Sequence, residues 1–367
     1  MKRKILLCLS LLAMMMTGCV DQINVEDVTL SLILGLDLDE DDHLVVYMSS
    51  PVFNKEAKVK EEKVEVKAVT IRDSRELFDM TVMALTSGSK TQLILVGKKL
   101  LKRKNWIDYI DPFFRDPKNT VTTRVVAIDG PVSDVIFFRP KDKPRLPLYL
   151  TNLVETDYRR NITVKTTIQE FRKQTMEKGM TASITEMKKD HKIMLTGTAL
   201  LDEQSRYKLS IKPHENKLLR ILQHKTKGDF PFTISVPLES NGRDKYWISF
   251  STPNVKVKTK VRYDGHFIFD TDVKMRIAIT ERLFPFNVRK DTAKLQKSIE
   301  TKLQADFERL IKKTQTATID PFGYGIYARA YTYPEWKKVQ NQWGKAFSKA
   351  DLNVKVHVTI GGMGTIK

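Results

Sequence analysis

The longest regular pattern of hydrophobic positions lies between residues 291 and 314. Apolar side chains recur there every three or four residues, with lysines and glutamates between them, which predicts an amphipathic helix with one buried face. Over 354–360, valine and isoleucine alternate with polar residues, as in a strand that has one wet face. We therefore expect a long amphipathic helix packed on a C-terminal sheet. The apolar positions of the helix are Leu295, Ile299, Leu303, Phe307, Leu310 and Ile311.

Period-two alternation also marks segments before this helix. Residues 255–261 place valines opposite lysines, and residues 273–279 alternate apolar with basic residues. Both patterns predict antiparallel strands with one face in water. Near the N-terminus, the apolar runs 28–38 and 44–52 flank four consecutive acidic residues, which predicts a hairpin with an acidic turn.

Strands and helices alternate along the N-terminal half, which predicts a mixed sheet covered by helices. Asp73 is a capping residue for a predicted helix over 74–86, and Pro140, Pro144 and Pro147 interrupt the pattern further on. The remaining predicted elements of this half are strands at 64–71, 91–101, 120–128 and 192–201 and helices at 105–115 and 167–177.

A chain of 367 residues is long enough for two or three domains. The order of its elements favours an α+β or mixed α/β fold, built from consecutive modules of mixed β-sheets flanked by helices. After a leader segment at 1–18, we predict an N-terminal α/β domain over 19–192. A small β-rich middle module over 193–250 and a C-terminal α/β domain over 251–367 complete the division.

The first nineteen residues have the pattern of a bacterial lipoprotein signal. Three basic residues at 2–4 precede an uncharged stretch at 5–16, which as a helix spans only ~18 Å of the ~30 Å hydrocarbon core. Such a stretch predicts a secretory signal and not a membrane span. Residues 16–19 read Met-Thr-Gly-Cys and resemble a lipobox, whose first position is usually leucine. We predict cleavage before Cys19, which becomes the N-palmitoyl and S-diacylglycerol cysteine; a chance cysteine after an ordinary signal is the alternative.

The chain is strongly basic, with a net charge of +19. Cleavage after residue 18 would remove three basic residues and no acidic residue, and so leave an excess of +16. An exported protein does not meet the genome, so we predict no nucleic-acid partner and an anionic membrane surface beside the lipid anchor. Both cysteines, Cys8 and Cys19, lie in the N-terminal segment, which excludes a disulfide framework or a cysteine-based zinc site in the rest of the chain.

Two short motifs could carry chemistry, and both have a simpler interpretation. Asp37, Asp39 and Asp41 have the spacing of an EF-hand loop, but the glycine and glutamate that the loop needs are missing, which favours a solvated turn. Ser205 and Lys208 match the S-x-x-K pattern of penicillin-interactive enzymes without its two companion motifs, which favours a polar turn. We predict no catalytic residue, no metal site and no cofactor.

Aromatic and histidine residues could also mark a ligand site. Trp336, Trp343 and Phe347 follow one another at helical spacing, and such a stripe more often packs into a core than binds a ligand. The six histidines have no metal-binding spacing, and the C-terminal glycines are not followed by a helix that could bind phosphate. We interpret all of these as structural or surface residues.

Several segments along the whole chain occur in a recognisable order. Cys19 is followed by Asp21 and by an apolar strand that ends in Gly-Leu-Asp at 35–37, and Arg-Asp at 115–116 follows a predicted helix. The most specific part is 315–364, with Asp-Pro-Phe-Gly-Tyr-Gly, two tryptophans and a Val-x-Val-x-Val strand. In this order the chain resembles the Ger(x)C family, the C-type lipoprotein subunits of spore germinant receptors. It departs from the family in having valine where a tryptophan usually follows the lipidated cysteine.

The resemblance implies a non-enzymatic, lipid-anchored subunit of a nutrient germinant receptor complex that acts in spore germination. Its location would be the outer face of the inner spore membrane, and its partners the A-type and B-type integral membrane subunits. The family's fold of consecutive α/β modules agrees with the pattern above. Only Cys19 carries over as a site.

Two other classes stay open on the sequence alone, a solute-binding lipoprotein and an envelope hydrolase. A pocket with convergent polar groups and perturbed carboxylates would favour either class. We also predict that 291–367 forms one packed helix-and-strand unit. Asp320-Pro321 with Gly323 and Gly325 would make the sharp reversal after its helix, because proline fixes φ and glycine permits a positive φ.

Overall fold

The computed structural model describes residues 27–236, 246–284 and 288–362. Within these ranges the chain forms an eight-stranded mixed sheet, a four-stranded sheet and a pair of short strands. Helices flank the sheets, so the predicted α+β architecture is confirmed. The predicted leader segment and Cys19 lie outside the described residues.

The eight-stranded sheet has parallel strands in its centre and antiparallel strands at both margins. Its central strand Leu93–Gly97 is buried at every position, because apolar clusters cover both faces of the sheet. In spatial order the strands are β10 (Tyr207–Ile211), β9 (Ile193–Leu201), β8 (Ser183–Lys189), β7 (Arg124–Ile128), β6 (Leu93–Gly97), β2 (Ile33–Leu38), β3 (Leu44–Pro51) and β4 (Glu61–Lys67).

Helices and one short strand pair surround this sheet. The pair joins β1 (Val28–Leu30) to β5 (Leu85–Ser87) in parallel, so the predicted run 28–38 is divided between two sheets. The helices are α1 (Ile71–Asp79), α2 (Lys98–Leu101), α3 (Pro112–Arg115), α4 (Val132–Ile136), α5 (Leu146–Arg159), α6 (Ile168–Met176) and α7 (Pro213–Leu222), with a 3₁₀ helix at Trp106–Ile110.

The four-stranded sheet has one helix-covered face and one exposed face. The two predicted alternating segments lie in its long central hairpin, whose strands are antiparallel as predicted, and the C-terminal strand pairs with this hairpin in parallel. No helix in the described ranges is long and apolar enough to cross a membrane. The elements are β11 (Phe232–Val236), β12 (Tyr246–Asp264), β13 (His266–Arg282), α8 (Val288–Thr316), α9 (Tyr324–Tyr331), α10 (Tyr333–Val339), a 3₁₀ helix at Gln340–Gln342, α11 (Trp343–Ser348) and β14 (Asp351–Gly362).

The long C-terminal helix packs on the sheet as the pattern predicted. All six apolar positions named above for α8 are at most 3% exposed, and Phe307 is completely buried. They share one apolar cluster with Val354, Val356 and Val358 of β14. Glu300 of α8 also accepts a hydrogen bond from the backbone N–H of Val358 at 2.9 Å, which fixes the helix against the strand.

The predicted helix over 74–86 is wrong at both ends. Its cap is Thr70, whose side-chain oxygen accepts a hydrogen bond from the backbone N–H of Asp73 at 3.1 Å, so α1 begins at Ile71 and the preceding strand ends at Lys67. The helix ends at Asp79, because the following residues leave it to pair β5 with β1. Pairing with a strand 57 positions earlier in the chain is not visible in local periodicity.

Glycine and proline residues explain further differences between the predicted and the observed elements. The predicted strand 91–101 ends at Gly97, where α2 starts, and the predicted helix 105–115 is divided before Pro112, which lacks a backbone N–H. The proline-rich stretch contains α5, which was not predicted. Pro147 lies in the first turn of α5, where a missing N–H costs nothing because no partner exists for it within the helix.

The described residues of the predicted middle module over 193–250 do not form a sheet of their own. Its first strands, β9 and β10, extend the large sheet, whereas β11 and the start of β12 belong to the four-stranded sheet. Helix α7 contributes to the same apolar cluster as α8, so this segment joins the two sheets. Domain boundaries at 19–192 and 251–367 stay a prediction.

Candidate functional site

The most specific segment of the sequence folds into a buried joint around Asp320, which lies shortly after the end of α8 at Thr316. The Asp320 side chain is completely buried. Its Oδ1 accepts hydrogen bonds from the backbone N–H groups of Phe322 at 3.1 Å and Gly323 at 3.0 Å. Its Oδ2 accepts from the backbone N–H of Gly325 at 2.9 Å and from the indole N–H of Trp343 at 2.8 Å. The carboxylate therefore holds the reversal between α8 and α9 together.

Burial has a strong electrostatic effect on this carboxyl group. Desolvation raises the pKa of Asp320 to about 6, although the surrounding donors act in the opposite direction. All four donors belong to this chain, and they occupy both carboxylate oxygens. The arrangement is that of a structural joint, since the side chain is completely buried and both oxygens accept hydrogen bonds from the chain itself.

The same joint attaches the C-terminal helices to the segment before β8. The backbone N–H of Thr181 donates to the carbonyl of Asp320 at 2.8 Å. A Cβ atom on Gly179 would lie 2.7 Å from the carbonyl carbon of Gly325, so the two backbones can approach only as glycines. Arg329 adds two hydrogen bonds to the carboxylate of Glu177, at 2.8 and 2.9 Å. The reversal thus fixes the four-stranded sheet to the large sheet.

Of the two glycines predicted to permit the reversal, one has the predicted role. Gly323 has a φ of 85°, in the left-handed region that favours glycine. Gly325 lies inside α9, and the close approach of Gly179 is what requires its missing side chain. Sequence reasoning did not find Gly179, because the glycine that it contacts is distant in the chain.

The three aspartates with EF-hand spacing do not converge on one point. Asp37 is buried, and its Oδ2 accepts from the backbone N–H of Val132 at 2.9 Å; burial raises its pKa. Asp39 pairs with Lys67 at 2.8 Å, a hydrogen bond that lowers the pKa of Asp39 to about 2. Asp39, Asp41 and His43 lie close together in the turn between β2 and β3, which confirms the acidic hairpin turn.

The other motifs occupy structural positions in the described part of the chain. Ser205 lies in a tight turn with a φ of 62°, and its carbonyl accepts the indole N–H of Trp106. Trp336, Trp343 and Phe347 are at most 4% exposed, so the packing interpretation is confirmed, although they belong to two helices and not to one. Four histidines pair with separate neighbours, namely His43 with Asp39, His214 with Asp306, His224 with Thr259 and His266 with Asp351.

A cavity of about 90 Å³ lies between α1, β5 and the turn after α3. Its floor is apolar, with Phe78 and Phe113, and Arg72 and Asp116 form an ion pair of 2.7 Å at its rim. Thr86 also lines it and is only 6% exposed, and its hydroxyl oxygen has no hydrogen-bond partner among the described residues. Room for several water-sized groups beside a buried, unpaired hydroxyl is a feature of small-molecule sites. Sequence reasoning gave no signal of this cavity.

Comparison with models of known protein families assigns both halves of the chain to spore germination proteins. The model of the spore germination protein N-terminal domain matches residues 21–189, and the model of the spore germination B3/GerAC-like C-terminal domain matches residues 196–364. The chain belongs to the Ger(x)C family, the C subunits of germinant receptors. Membership of this family implies a role in spore germination.

Individual relatives agree with this assignment. The chain is 22% identical to spore germination protein B3 of Bacillus subtilis (strain 168) over 290 residues, which cover 75% of this chain and 74% of that protein. It is 38% identical to spore germination protein YndF of the same organism over 76 residues, which cover 20% of this chain but only 19% of YndF. The crystal structure of the GerBC protein has the same fold, with a TM-score of 0.58 and 18% identity over 89% of this chain and 96% of that one.

Proposed function

We propose that the protein is a non-enzymatic, lipid-anchored subunit of a nutrient germinant receptor complex. It is held at the outer face of the inner spore membrane by Cys19 and works with A-type and B-type integral membrane subunits. The observation that carries the proposal is the match of two consecutive germination-family models across residues 21–189 and 196–364. The basic excess of +16 that stays after removal of the leader supports a position beside an anionic membrane surface.

The Asp320 joint supports a non-catalytic role. The buried carboxyl whose pKa is raised to about 6 would be the first candidate for an acid or base in an envelope hydrolase. Its two oxygens instead accept four hydrogen bonds from the protein's own N–H groups. A group in this position stabilises the fold and has no free atom for a substrate.

Acylation of Cys19 is tested by substitution and metabolic labelling. Cys19→Ala should yield an unprocessed precursor that takes up no fatty-acid analogue, whereas Cys8→Ala should be processed and labelled like the wild type. Two or three acyl chains anchor stably, at ~0.8 kcal/mol per buried CH₂. Label that persists in the Cys19→Ala chain would contradict the lipid anchor.

The receptor complex is tested by crosslinking in isolated spore membranes. Purification of the full chain after crosslinking should recover both an A-type and a B-type subunit. If neither subunit were recovered although the chain was still membrane-bound, the protein would be a lipoprotein that takes no part in germinant reception.

The cavity beside α1 favours a second candidate function, the binding of a small solute. Its apolar floor and unpaired Thr86 hydroxyl suit a molecule with a short apolar group and one hydrogen-bonding group. Calorimetric titration of the full chain with a series of short carboxylic acids and their amides tests this. A real site should lose at least several-fold affinity in Thr86→Val, which has nearly the same shape without the hydroxyl. No binding in either series would remove this candidate.

A further inference from the structure

The five-residue connection between α1 and β5 and the first residue of β5 together expose three large apolar side chains. Met83 is 98% exposed, Met80 is 74% exposed and Leu85, the first residue of β5, is 56% exposed. Val82, between the two methionines, is buried and packs in the cluster that contains Phe78. The connection is therefore fixed to the core through Val82, while the two methionines beside it stay exposed to solvent. We call Met80, Met83 and Leu85 the apolar corner.

Exposed apolar residues are common when they are scattered singly, but a group of three within six positions is a patch. Methionine is unbranched and adapts its shape, which suits contact with an irregular, mobile surface. The charged groups that share a surface depression with Met83 and Leu85 are Asp27 and Asp79. Because both are acidic, attraction to an anionic headgroup does not explain the corner, and contact with apolar material does.

The chain enters the described fold at this same corner. Val28, the first residue of β1, pairs with Leu85 of β5, and Asp27 shares a surface depression with Val82, Met83 and Leu85. Eight residue steps separate Asp27 from Cys19, and a fully extended chain covers at most ~28 Å over that distance. An anchor at Cys19 therefore keeps the apolar corner close to the bilayer that holds the anchor.

We propose that the apolar corner inserts into the lipid interface beside the anchor and turns the α1–β5 end of the protein toward the membrane. The inference rests on the lipid anchor at Cys19 proposed above. The partner surface is the boundary between headgroups and acyl chains, where Met80, Met83 and Leu85 leave water. The short tether favours this surface over a partner protein, since the bilayer is always within its reach.

The cysteine content of the chain allows a direct test. Its two cysteines are Cys8, in the removed leader, and Cys19, which is acylated, so a third cysteine is the sole free thiol of the mature protein. Met83→Cys is labelled with an environment-sensitive fluorophore, and the acylated full chain is placed in phosphatidylglycerol–phosphatidylethanolamine vesicles. A fraction of the lipids carries a nitroxide near the headgroup end of the acyl chain. The matched control is Met176→Cys, because Met176 is 67% exposed at the end of α6.

We expect a blue-shifted emission and at least several-fold stronger nitroxide quenching at position 83 than at position 176. Equal, weak quenching at both positions in a chain whose mass shows the diacylglycerol group would overturn the insertion and leave the proposed function intact. A mass without that group would overturn the anchor, and with it this inference. Crosslinks from position 83 to a partner subunit in spore membranes, without quenching in vesicles, would assign the corner to a protein and contradict the lipid contact.

Discussion

The C-terminal unit buries its apolar side chains, whereas the α1–β5 end exposes three of them. Six apolar residues of α8 are at most 3% exposed and pack with three valines of β14. At the other end, Met80, Met83 and Leu85 stay in contact with water although the connection that carries them is firmly packed through Val82. A periodic apolar stripe thus indicates side chains that are buried against another part of the same chain. An irregular apolar cluster in a short connection instead indicates contact with another molecule or a membrane.

The largest effect is expected in the centre of the α8 stripe. Phe307→Ala removes a completely buried ring and should cost about 3–5 kcal/mol of unfolding free energy, because a cavity remains where the ring was. Lys312→Ala, on the exposed face of the same helix, should cost less than ~0.5 kcal/mol. Urea unfolding of the two full-length variants measures both values. Equal, small effects would mean that α8 is a docking surface and not the centre of a core.

The Asp320 joint should give the next largest effect. Asp320→Asn leaves the N–H groups of Gly325 and Trp343 without an anionic acceptor, at about 1–3 kcal/mol for each unsatisfied donor. The substitution should also change the pH dependence of stability. The folded-state pKa of about 6 lies above the ordinary value of 3.8, so between these values the folded protein holds a proton that the unfolded chain releases. This proton stabilises the folded state at low pH, and the stabilisation is lost as pH rises through about 6.

Melting curves from about pH 4 to pH 8 measure that contribution. As pH rises from the ordinary pKa of 3.8 to the folded-state pKa of about 6, the wild type should lose part of its stability. Asp320→Asn should lack this part of the decline. Asp134→Asn is a suitable control, because it makes the same change at a carboxylate that is exposed to solvent. If Asp320→Asn kept the wild-type profile, another group would be responsible for the decline.

A moderate effect is expected at the start of α1. Thr70→Ala removes the oxygen that accepts the N–H of Asp73 and should cost about 1 kcal/mol. Thr70→Ser keeps a hydroxyl in the same place and should be close to the wild type. Denaturation midpoints of the two variants distinguish the observed Thr70 cap from the predicted Asp73 cap, since equal midpoints would make Thr70 unimportant.

The smallest effect is expected in the apolar corner itself. Met83→Ser should change the stability of the protein in solution by less than ~0.5 kcal/mol, because the side chain is 98% exposed and loses no packing. Met176→Ser provides the comparison at another exposed methionine. A melting temperature of Met83→Ser several degrees below that of Met176→Ser would show that the corner packs within the protein.

Much of the fold could be predicted where a pattern repeats often enough. The α8 stripe and the alternation in β12 and β13 were sufficient, because each extends over many residues and specifies one buried face. Short elements were not predictable in this way. The end of α1 depends on pairing between β1 and β5, and α5 contains a proline that is harmless only in a first turn.

The candidate site was predicted in part. The segment 320–325 was identified as a sharp reversal, and Gly323 has the positive φ that such a reversal needs. Its contact with Gly179 and the pairing of Arg329 with Glu177 join residues about 150 positions apart, which no local pattern can reveal. The cavity beside α1 was missed for the same reason, because segments from several parts of the chain line it.

The parallel pairing of β14 with β13 determines when this protein can finish folding. Ile268 pairs with Asp351, and the entire α8–α11 region lies between them. Parallel contacts between distant residues form late, because the intervening chain must first be ordered. Until the last residues have been synthesised, the strand beside β14 presents an open edge to which another chain can add. Premature termination before residue 351 should therefore produce a protein that self-associates, with the large sheet already formed.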